Sequence, residues 1–229
     1  MATDAQDQQT DSPRRRPGFG ISPAILAVAA VCVLVEAVLF ASDLGAIGSA
    51  RLRQQAYEYG GFWPGLLRDW RPNFTAQPYL MFVTYAFLHG GPIHLVVNMI
   101  TLVSLGSAVV IRVGQRGFLL LYLAAMIGGA AGFGFLAETV RPMVGASGAL
   151  FGLAGGLVAW DYVDRFTVQE ALWPVARAIL LLIGLNIVLW WAMGGQMAWE
   201  THLGGFVMGW IAALLIDPRS HADQDPRQT

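Results

Sequence analysis

The sequence predicts an all-α membrane protein whose helices cross a lipid bilayer six times. Apolar residues make up 55% of the 229 residues and charged residues only 13%, about half the charged share of a soluble domain. The apolar residues are gathered into runs of about 20, the length that an α-helix needs to cross the hydrocarbon core. Lipid is therefore the expected solvent of these runs, and the net charge of −1 indicates no nucleic-acid partner.

Six stretches qualify as spans, and polar segments flank them. The first run is too long for the apolar core of a signal peptide and has no evident cleavage site, so it is expected to remain as a span. Segments 1–20 and 218–229 are polar and predict disordered tails on either side of one membrane domain, residues 21–217. The predicted spans are residues 21–42, 92–111, 118–137, 147–163, 173–193 and 199–216.

A long connector separates the first two spans. It covers residues 43–77 and contains Trp63, Trp70 and four arginines. Aromatic and basic side chains together are typical of short helices that lie in the membrane interface. The connector is therefore predicted to be interfacial and not a seventh span.

The arginine cluster at residues 14–16 predicts a cytoplasmic N-terminus, and an even number of spans then places both ends in the cytoplasm. The short tails and the absence of lysine favour a bacterial inner membrane. In this orientation the second, fourth and sixth spans all run from outside to inside, so their N-terminal ends share one depth. Four polar side chains lie within about 10 Å of those ends: His94, Asn98, Ser147 and His202.

Polar side chains inside a span cost several kcal/mol unless they have partners or water, so these four are candidates for a functional site. Each has an ordinary structural alternative when taken alone. A serine at a helix N-terminus often caps the helix, and a membrane histidine often makes only a hydrogen bond between helices. Their occurrence together at one depth favours a site.

Glycines surround Ser147 at the start of the fourth span. The segment begins Gly145-Ala-Ser-Gly148, and Gly152 and Gly156 continue a four-residue spacing from Gly148. This pattern is typical of membrane helices that pack closely. Close packing is also what a serine activated by a histidine requires, since the two side chains must approach within about 2.6–3.2 Å.

The sixth span complements this pattern. Gly205 and Gly209 follow His202 by three and seven residues, which places them on the same face of a helix. The helix that carries the candidate base therefore presents a small surface beside the histidine. The two sets of glycines predict that Ser147 and His202 meet where the fourth and sixth spans touch.

An acidic third member is not expected near this pair. The first carboxylate of the fourth span, Asp161, follows Ser147 by 14 residues, or about 20 Å along a helix. Glu200 precedes His202 by two residues and lies on another face of its helix. Phe151, one turn beyond Ser147, is instead expected to stack on the imidazole, so the sequence predicts a dyad.

His94 and Asn98 lie four residues apart on one face of the second span. A metal site is a weak alternative, because no HExxH motif occurs and no carboxylate accompanies them on that helix. The single cysteine, Cys32, excludes a thiolate cluster, so no metal or cofactor is predicted. Hydrogen-bond donation to a developing oxyanion suits His94 and Asn98 better, together with the backbone N–H groups that begin the fourth span.

Three further polar residues are expected to have structural roles. His89 precedes the second span and is expected to anchor its loop through the side chain. Glu36 and Asn186 lie within the first and fifth spans, where hydrogen bonds between helices are the expected reason for their presence.

Taken together, these patterns resemble the rhomboid intramembrane proteases. The resemblance covers about residues 79–216 and rests on the six spans, the Gly-Ala-Ser-Gly start of the fourth, the HxxxN pattern of the second and the HxxGxxxG pattern of the sixth. It implies a six-transmembrane-helix rhomboid-like bundle with Ser147 as nucleophile and His202 as general base. His94 and Asn98 would then line the oxyanion hole.

The resemblance also implies substrates and moving parts. The fifth span and the turn 194–196 would form a gate and a cap, and substrates would be single-span proteins cut in or near their membrane segment after a small residue. The sequence departs from the family at two places. Leu80-Met81 stands where members often have Trp-Arg ahead of the loop histidine, and Phe151 stands where many have tyrosine.

Two other classes of function are alternatives. A rhomboid-like protein without catalytic activity would bind and escort membrane clients, but such proteins usually lack the serine or the histidine, and both Ser147 and His202 are present. A small transporter or channel is expected to show internal repeats or helices broken at mid-membrane, which this sequence does not show. The prediction is a serine endopeptidase that acts on transmembrane proteins within a bilayer.

Overall fold

The computed structural model describes residues 20–216, and within this range every regular element is a helix. The predicted tails, with the arginines at 14–16, lie outside the described residues apart from residue 20. The α-helices are α1 (Pro23–Asp43), α2 (Leu52–Gly60), α3 (Gln77–Thr84), α4 (Pro92–Leu136), α5 (Ser147–Thr167), α6 (Trp173–Ala192) and α7 (Trp199–Leu215), and two 3₁₀ helices cover Pro64–Leu67 and Tyr85–Phe87.

The 45 residues of α4 form two helices in a hairpin. Gly114 interrupts the helix with φ 71° and ψ 179°, a conformation that glycine adopts without a steric penalty. Beyond it the ring of Phe118 lies against Gly106, although a straight helix would separate these residues by about 18 Å. The chain therefore reverses near Gly114, and the two halves correspond to the predicted spans 92–111 and 118–137.

Three helices are long and apolar enough to cross a membrane by length and mean hydropathy, namely α1, α4 and α6. Because α4 contains two spans, these helices account for four of the six. The other two are less conspicuous by composition, since α5 carries Asp161, Asp164 and Arg165 near its end and α7 has only 17 residues. They complete a multi-pass, all-α membrane bundle, and the predicted fold class is confirmed.

The centre of the bundle consists of α4, α5 and α7, which pack extensively on one another, while α1 packs on α4. By contrast, α6 has few neighbours, and Val175 is its one buried residue. A helix that is apolar all round and little buried by protein faces lipid over most of its surface. The helix α6, which corresponds to the fifth predicted span, is therefore the most weakly packed span of the bundle.

The connector contains α2 and a 3₁₀ helix, so it consists of short helices as predicted, while its depth in the membrane stays a prediction. Phe62 and Met143 exchange two backbone hydrogen bonds of 3.0 and 2.9 Å, and the N–H of Gly145 donates to the carbonyl of Tyr85 at 3.0 Å. These bonds attach the segment that precedes α5 to the connector and to the first residue of the 3₁₀ helix Tyr85–Phe87. They thereby position the first residues of α5.

Candidate active site

Ser147 is the first residue of α5, and its hydroxyl meets the imidazole of His202 on α7. The Oγ of Ser147 lies 2.8 Å from Nε2 of His202, within the range that proton transfer from a nucleophile to a base requires. The serine does not cap its helix, since the N-cap position is Ala146 and no side-chain cap bond forms there. His202 is only 5% exposed, so the imidazole is shielded from bulk solvent, while Ser147 is partly exposed.

Backbone contact between α5 and α7 makes this approach possible. A Cβ on Gly205 would overlap the carbonyl oxygen of Gly148, and a Cβ on Gly209 would overlap that of Gly152. Backbone atoms cannot move aside as the end of a flexible side chain can. Any larger residue at these positions must therefore separate the two helices that carry the serine and the histidine.

The ring of Phe151 stacks on the imidazole of His202, with centroids 4.1 Å apart and ring planes inclined by 7°. Phe151 follows Ser147 by one turn, so α5 supplies both the hydrogen-bond partner and the stacking surface of the imidazole. Such ring pairs contribute about 0.5–1.5 kcal/mol beyond their buried area. The stacking also restricts rotation of the imidazole away from Ser147.

A second hydrogen bond reaches His202 from α6. The Oδ1 atom of Asn186 lies 2.8 Å from Nδ1 of His202, so both ring nitrogens have a partner. Asn186 does make a bond between helices, as predicted, but sequence reasoning missed that its partner is the candidate base. The sequence did show an amide within an otherwise apolar helix. It did not show the rotation of α6 about its axis, which decides the partner of that amide.

His94 lies beside the segment that leads into α5. Its Nε2 would be 3.1 Å from a Cβ on Gly145, whose φ is +127°, a value that favours glycine. The N–H of Gly90 donates to Nδ1 of His94 at 3.1 Å. In a neutral imidazole the proton resides on the nitrogen that does not accept, so Nε2–H of His94 is a donor close to the start of α5.

Asn98 is 3% exposed and lies one turn after His94. Its Nδ2 donates to the carbonyl oxygen of His94 at 2.8 Å, so one N–H of the amide supports the helical turn that carries His94. Its Oδ1 is buried without a hydrogen-bond partner among the described residues. A role at an oxyanion therefore depends on the second N–H of this amide.

Arg53 of α2 anchors the loop that precedes α4. Its guanidinium donates to the two carboxylate oxygens of Glu36 at 2.8 and 3.0 Å, and to the carbonyl oxygen of His89 at 3.0 Å. The hydroxyl of Tyr57 donates to the same carbonyl at 2.6 Å. Glu36 is 2% exposed, and this shielded ion pair explains why a carboxylate occurs in the first span. The loop thus has an anchor even though residues 80–81 lack the Trp-Arg pair.

The ring of His89 is fully buried and meets the ring of His94 edge to face, with centroids 5.3 Å apart. Burial, followed by the neighbouring His94, lowers the pKa of His89 to about 4, so the ring is neutral at pH 7. His89 holds the loop through its backbone as well as through its buried ring. The backbone carbonyl of His89 receives the bonds that hold the loop, and the ring packs against His94.

A cavity of about 600 Å³ lies between α6 and α7, next to the imidazole of His202. Its lining is chiefly apolar because both helices present leucine, isoleucine and aromatic side chains there. Asn186 and His202 contribute hydrogen-bonding groups to this lining. The cavity therefore presents an apolar surface beside the imidazole of His202. Its lining includes Phe151, Ile183, Trp190, Trp199 and Phe206.

Residues 76–219 match the model of the rhomboid domain, which is more than half of the chain. Among curated relatives, RHOMBOID-like protein 4 of Arabidopsis thaliana is 32% identical over 136 residues, which cover 59% of this chain and 33% of the relative. Rhomboid protease GluP of Bacillus subtilis is 36% identical over 135 residues, which cover 58% of this chain and 25% of the relative. RHOMBOID-like protein 6, mitochondrial, of Arabidopsis thaliana is 30% identical over 162 residues, which cover 66% of this chain and 49% of the relative.

The chain thus spans about a quarter to a half of the length of these relatives. The matched domain begins just before α3 and includes α4 to α7, which carry all the candidate site residues. Both plant and bacterial relatives carry the family name, and the bacterial one is named as a protease. The chain is a multi-pass integral membrane protein that belongs to the rhomboid family.

Proposed function

We propose that this chain is an intramembrane serine endopeptidase that cleaves other membrane proteins, with Ser147 as nucleophile and His202 as general base. The observation that carries the proposal is the 2.8 Å contact between Ser147 Oγ and His202 Nε2, with His202 also lining an apolar cavity. Relatives that are named as proteases support it at the level of the family.

Each group has a proposed role in acyl transfer. Ser147 Oγ attacks the peptide carbonyl while Nε2 of His202 accepts its proton and then delivers it to the leaving amine. Water hydrolyses the resulting acyl-enzyme with the same base. The backbone N–H groups at the start of α5 and Nε2–H of His94 are placed to stabilise the oxyanion, because the helix N-terminus carries a partial positive charge.

The proposed substrates are single-span membrane proteins, cut in or near their membrane segment after a small residue, as the resemblance to the family implies. The cavity between α6 and α7 is open to an apolar segment, and α6 is the helix that is least held by its neighbours. We further propose a bacterial inner membrane with both chain ends in the cytoplasm, on the basis of the arginines at 14–16. The site then lies toward the outer side of that membrane.

Covalent labelling tests the proposal without knowledge of the substrate. Purified protein in detergent is treated with a fluorophosphonate, which reacts at a useful rate only with a serine whose proton has a nearby acceptor. Wild type is expected to be labelled, Ser147→Ala to remain unlabelled, and Phe151→Tyr to retain labelling because ring stacking survives. Folded wild type that resists several such probes would favour an inactive protein that escorts membrane clients.

His94→Ala is expected to lower turnover about 10²–10³-fold, the usual effect of removing one oxyanion donor. Asn98→Ala is expected to lower it too, with a smaller effect, since one N–H of this amide already supports the carbonyl of His94. The turnover of both variants is measured by single-turnover cleavage of a fluorescent single-span reporter in detergent. Their stability is measured by circular dichroism melting. Normal turnover in the folded fraction, with a lower melting temperature, would assign these residues to packing.

A further inference from the structure

We infer that Asn186 holds His202 in the tautomer and orientation that proton transfer from Ser147 requires, so that α6 contributes a neutral third member to the site. The inference rests on the proposed function, since it concerns the base of that same reaction. Asn186 acts through His202 and is a positioning residue. The site then has three residues on three helices: Ser147 on α5, His202 on α7 and Asn186 on α6.

The direction of the two hydrogen bonds follows from the chemistry of the imidazole. Ser147 transfers its proton to Nε2 of His202, so Nε2 must be free of hydrogen and Nδ1 must carry the proton. The atom of Asn186 that faces Nδ1 is Oδ1, at 2.8 Å, and an amide oxygen accepts that proton as a hydrogen bond. With the opposite tautomer, Nε2–H would donate to Ser147 and the serine would have no base.

The surroundings of His202 make this acceptor important. On α5, the neighbours of His202 are Ser147 and Phe151. On α4, the titratable group close enough to act on His202 is His94. On α7 itself, Glu200 lies two residues earlier and on another face of the helix. Among the described residues, the amide of Asn186 is therefore the hydrogen-bond acceptor that can stabilise the imidazolium formed during proton transfer, beside the aromatic face of Phe151.

The location of Asn186 links the base to the position of α6. The hydrogen bond crosses from the weakly packed α6 to α7, and both residues line the cavity between them. Displacement of α6 from α7 would lengthen this bond and leave the imidazole oriented by Phe151 and Ser147 alone. The full competence of His202 as a base thus requires α6 in its place beside α7.

The pH dependence of labelling separates this role from simple packing. The rate of fluorophosphonate labelling is measured from pH 4 to 9 for wild type, Asn186→Ala and Asn186→Asp. Loss of the acceptor is expected to lower the plateau rate roughly two- to tenfold and to move the acidic midpoint to lower pH, because the imidazolium loses a partner. A carboxylate at the same place is expected to move the midpoint up by about one to three pH units.

Ile183→Ala is the matched control. Ile183 also lies on α6 and lines the same cavity, but it has no hydrogen-bonding group, so the acidic midpoint is expected to equal that of wild type whatever the rate. Midpoints of Asn186→Ala and Asn186→Asp that coincide with wild type would overturn the inference while leaving the proposed function intact. Wild type that is unlabelled at every pH would overturn the proposed function first.

Discussion

Ser147→Ala and His202→Ala are each expected to reduce cleavage of a single-span reporter protein to the background rate. Ser147→Ala removes the oxygen that forms the acyl-enzyme, and it changes volume by a single atom at the start of α5. His202→Ala removes the proton acceptor that lies 2.8 Å from that oxygen. In soluble serine proteases, loss of either group costs about 10⁶-fold in turnover, and removing both costs hardly more.

The double variant is therefore the informative control for this first prediction. Ser147→Ala combined with His202→Ala is expected to show the same residual rate as either single variant, because the two residues act as one unit. Size-exclusion chromatography and melting in detergent confirm that each variant is folded. Substantial cleavage by folded Ser147→Ala would show that the reactive group lies elsewhere, and additive effects in the double variant would show that the two residues act separately.

Gly205→Val is expected to lower the labelling and cleavage rates by about 10²-fold or more. Its Cβ would overlap the carbonyl oxygen of Gly148, a backbone atom next to Ser147, so α7 must move away from α5. A displacement of about 1 Å at reacting groups is sufficient for a loss of this size. The melting temperature is expected to fall as well, because the same displacement loosens the centre of the bundle.

Gly184→Val is the matched control for this second prediction. Gly184 lies on α6, and nothing lies within 4 Å of a Cβ added there, so the same change of side chain meets lipid and not a neighbouring helix. Gly205→Ala adds a single carbon and provides a milder variant if the valine protein does not fold. Wild-type rates in Gly205→Val would show that α5 and α7 do not meet at this glycine in the working protein.

The number and type of the helices follow from composition and periodicity, which are properties of each segment alone. Runs of apolar residues of membrane-crossing length predict spans wherever they occur. The glycines that follow Ser147 and His202 recur on one helical face, and that spacing predicts a contact surface without knowledge of the partner. The reversal at Gly114 within α4 agrees with the two spans that the sequence separates at residues 112–117.

Residues whose partners lie on other helices could be recognised in the sequence but not paired. Glu36 was conspicuous as a carboxylate in an apolar run, yet its partner Arg53 lies 17 residues away in a short helix. The sequence likewise showed that residues 80–81 are Leu-Met, but it did not show that Arg53 reaches the carbonyl oxygen of His89 and holds the loop. Sequence spacing contains no information on which distant side chain reaches such a group.

By itself, the sequence predicted the spans, a shared depth for four polar residues and the small faces beside Ser147 and His202, because these depend on rise per residue and residue size along single helices. Only the tertiary structure decided that Asn186 faces Nδ1 of His202 and that Arg53 holds the carbonyl of His89. Both contacts depend on the rotation and tilt of one helix relative to another. For α6 the sequence contains little to set that rotation, because the helix is apolar on nearly all sides and is placed by the few neighbours it has.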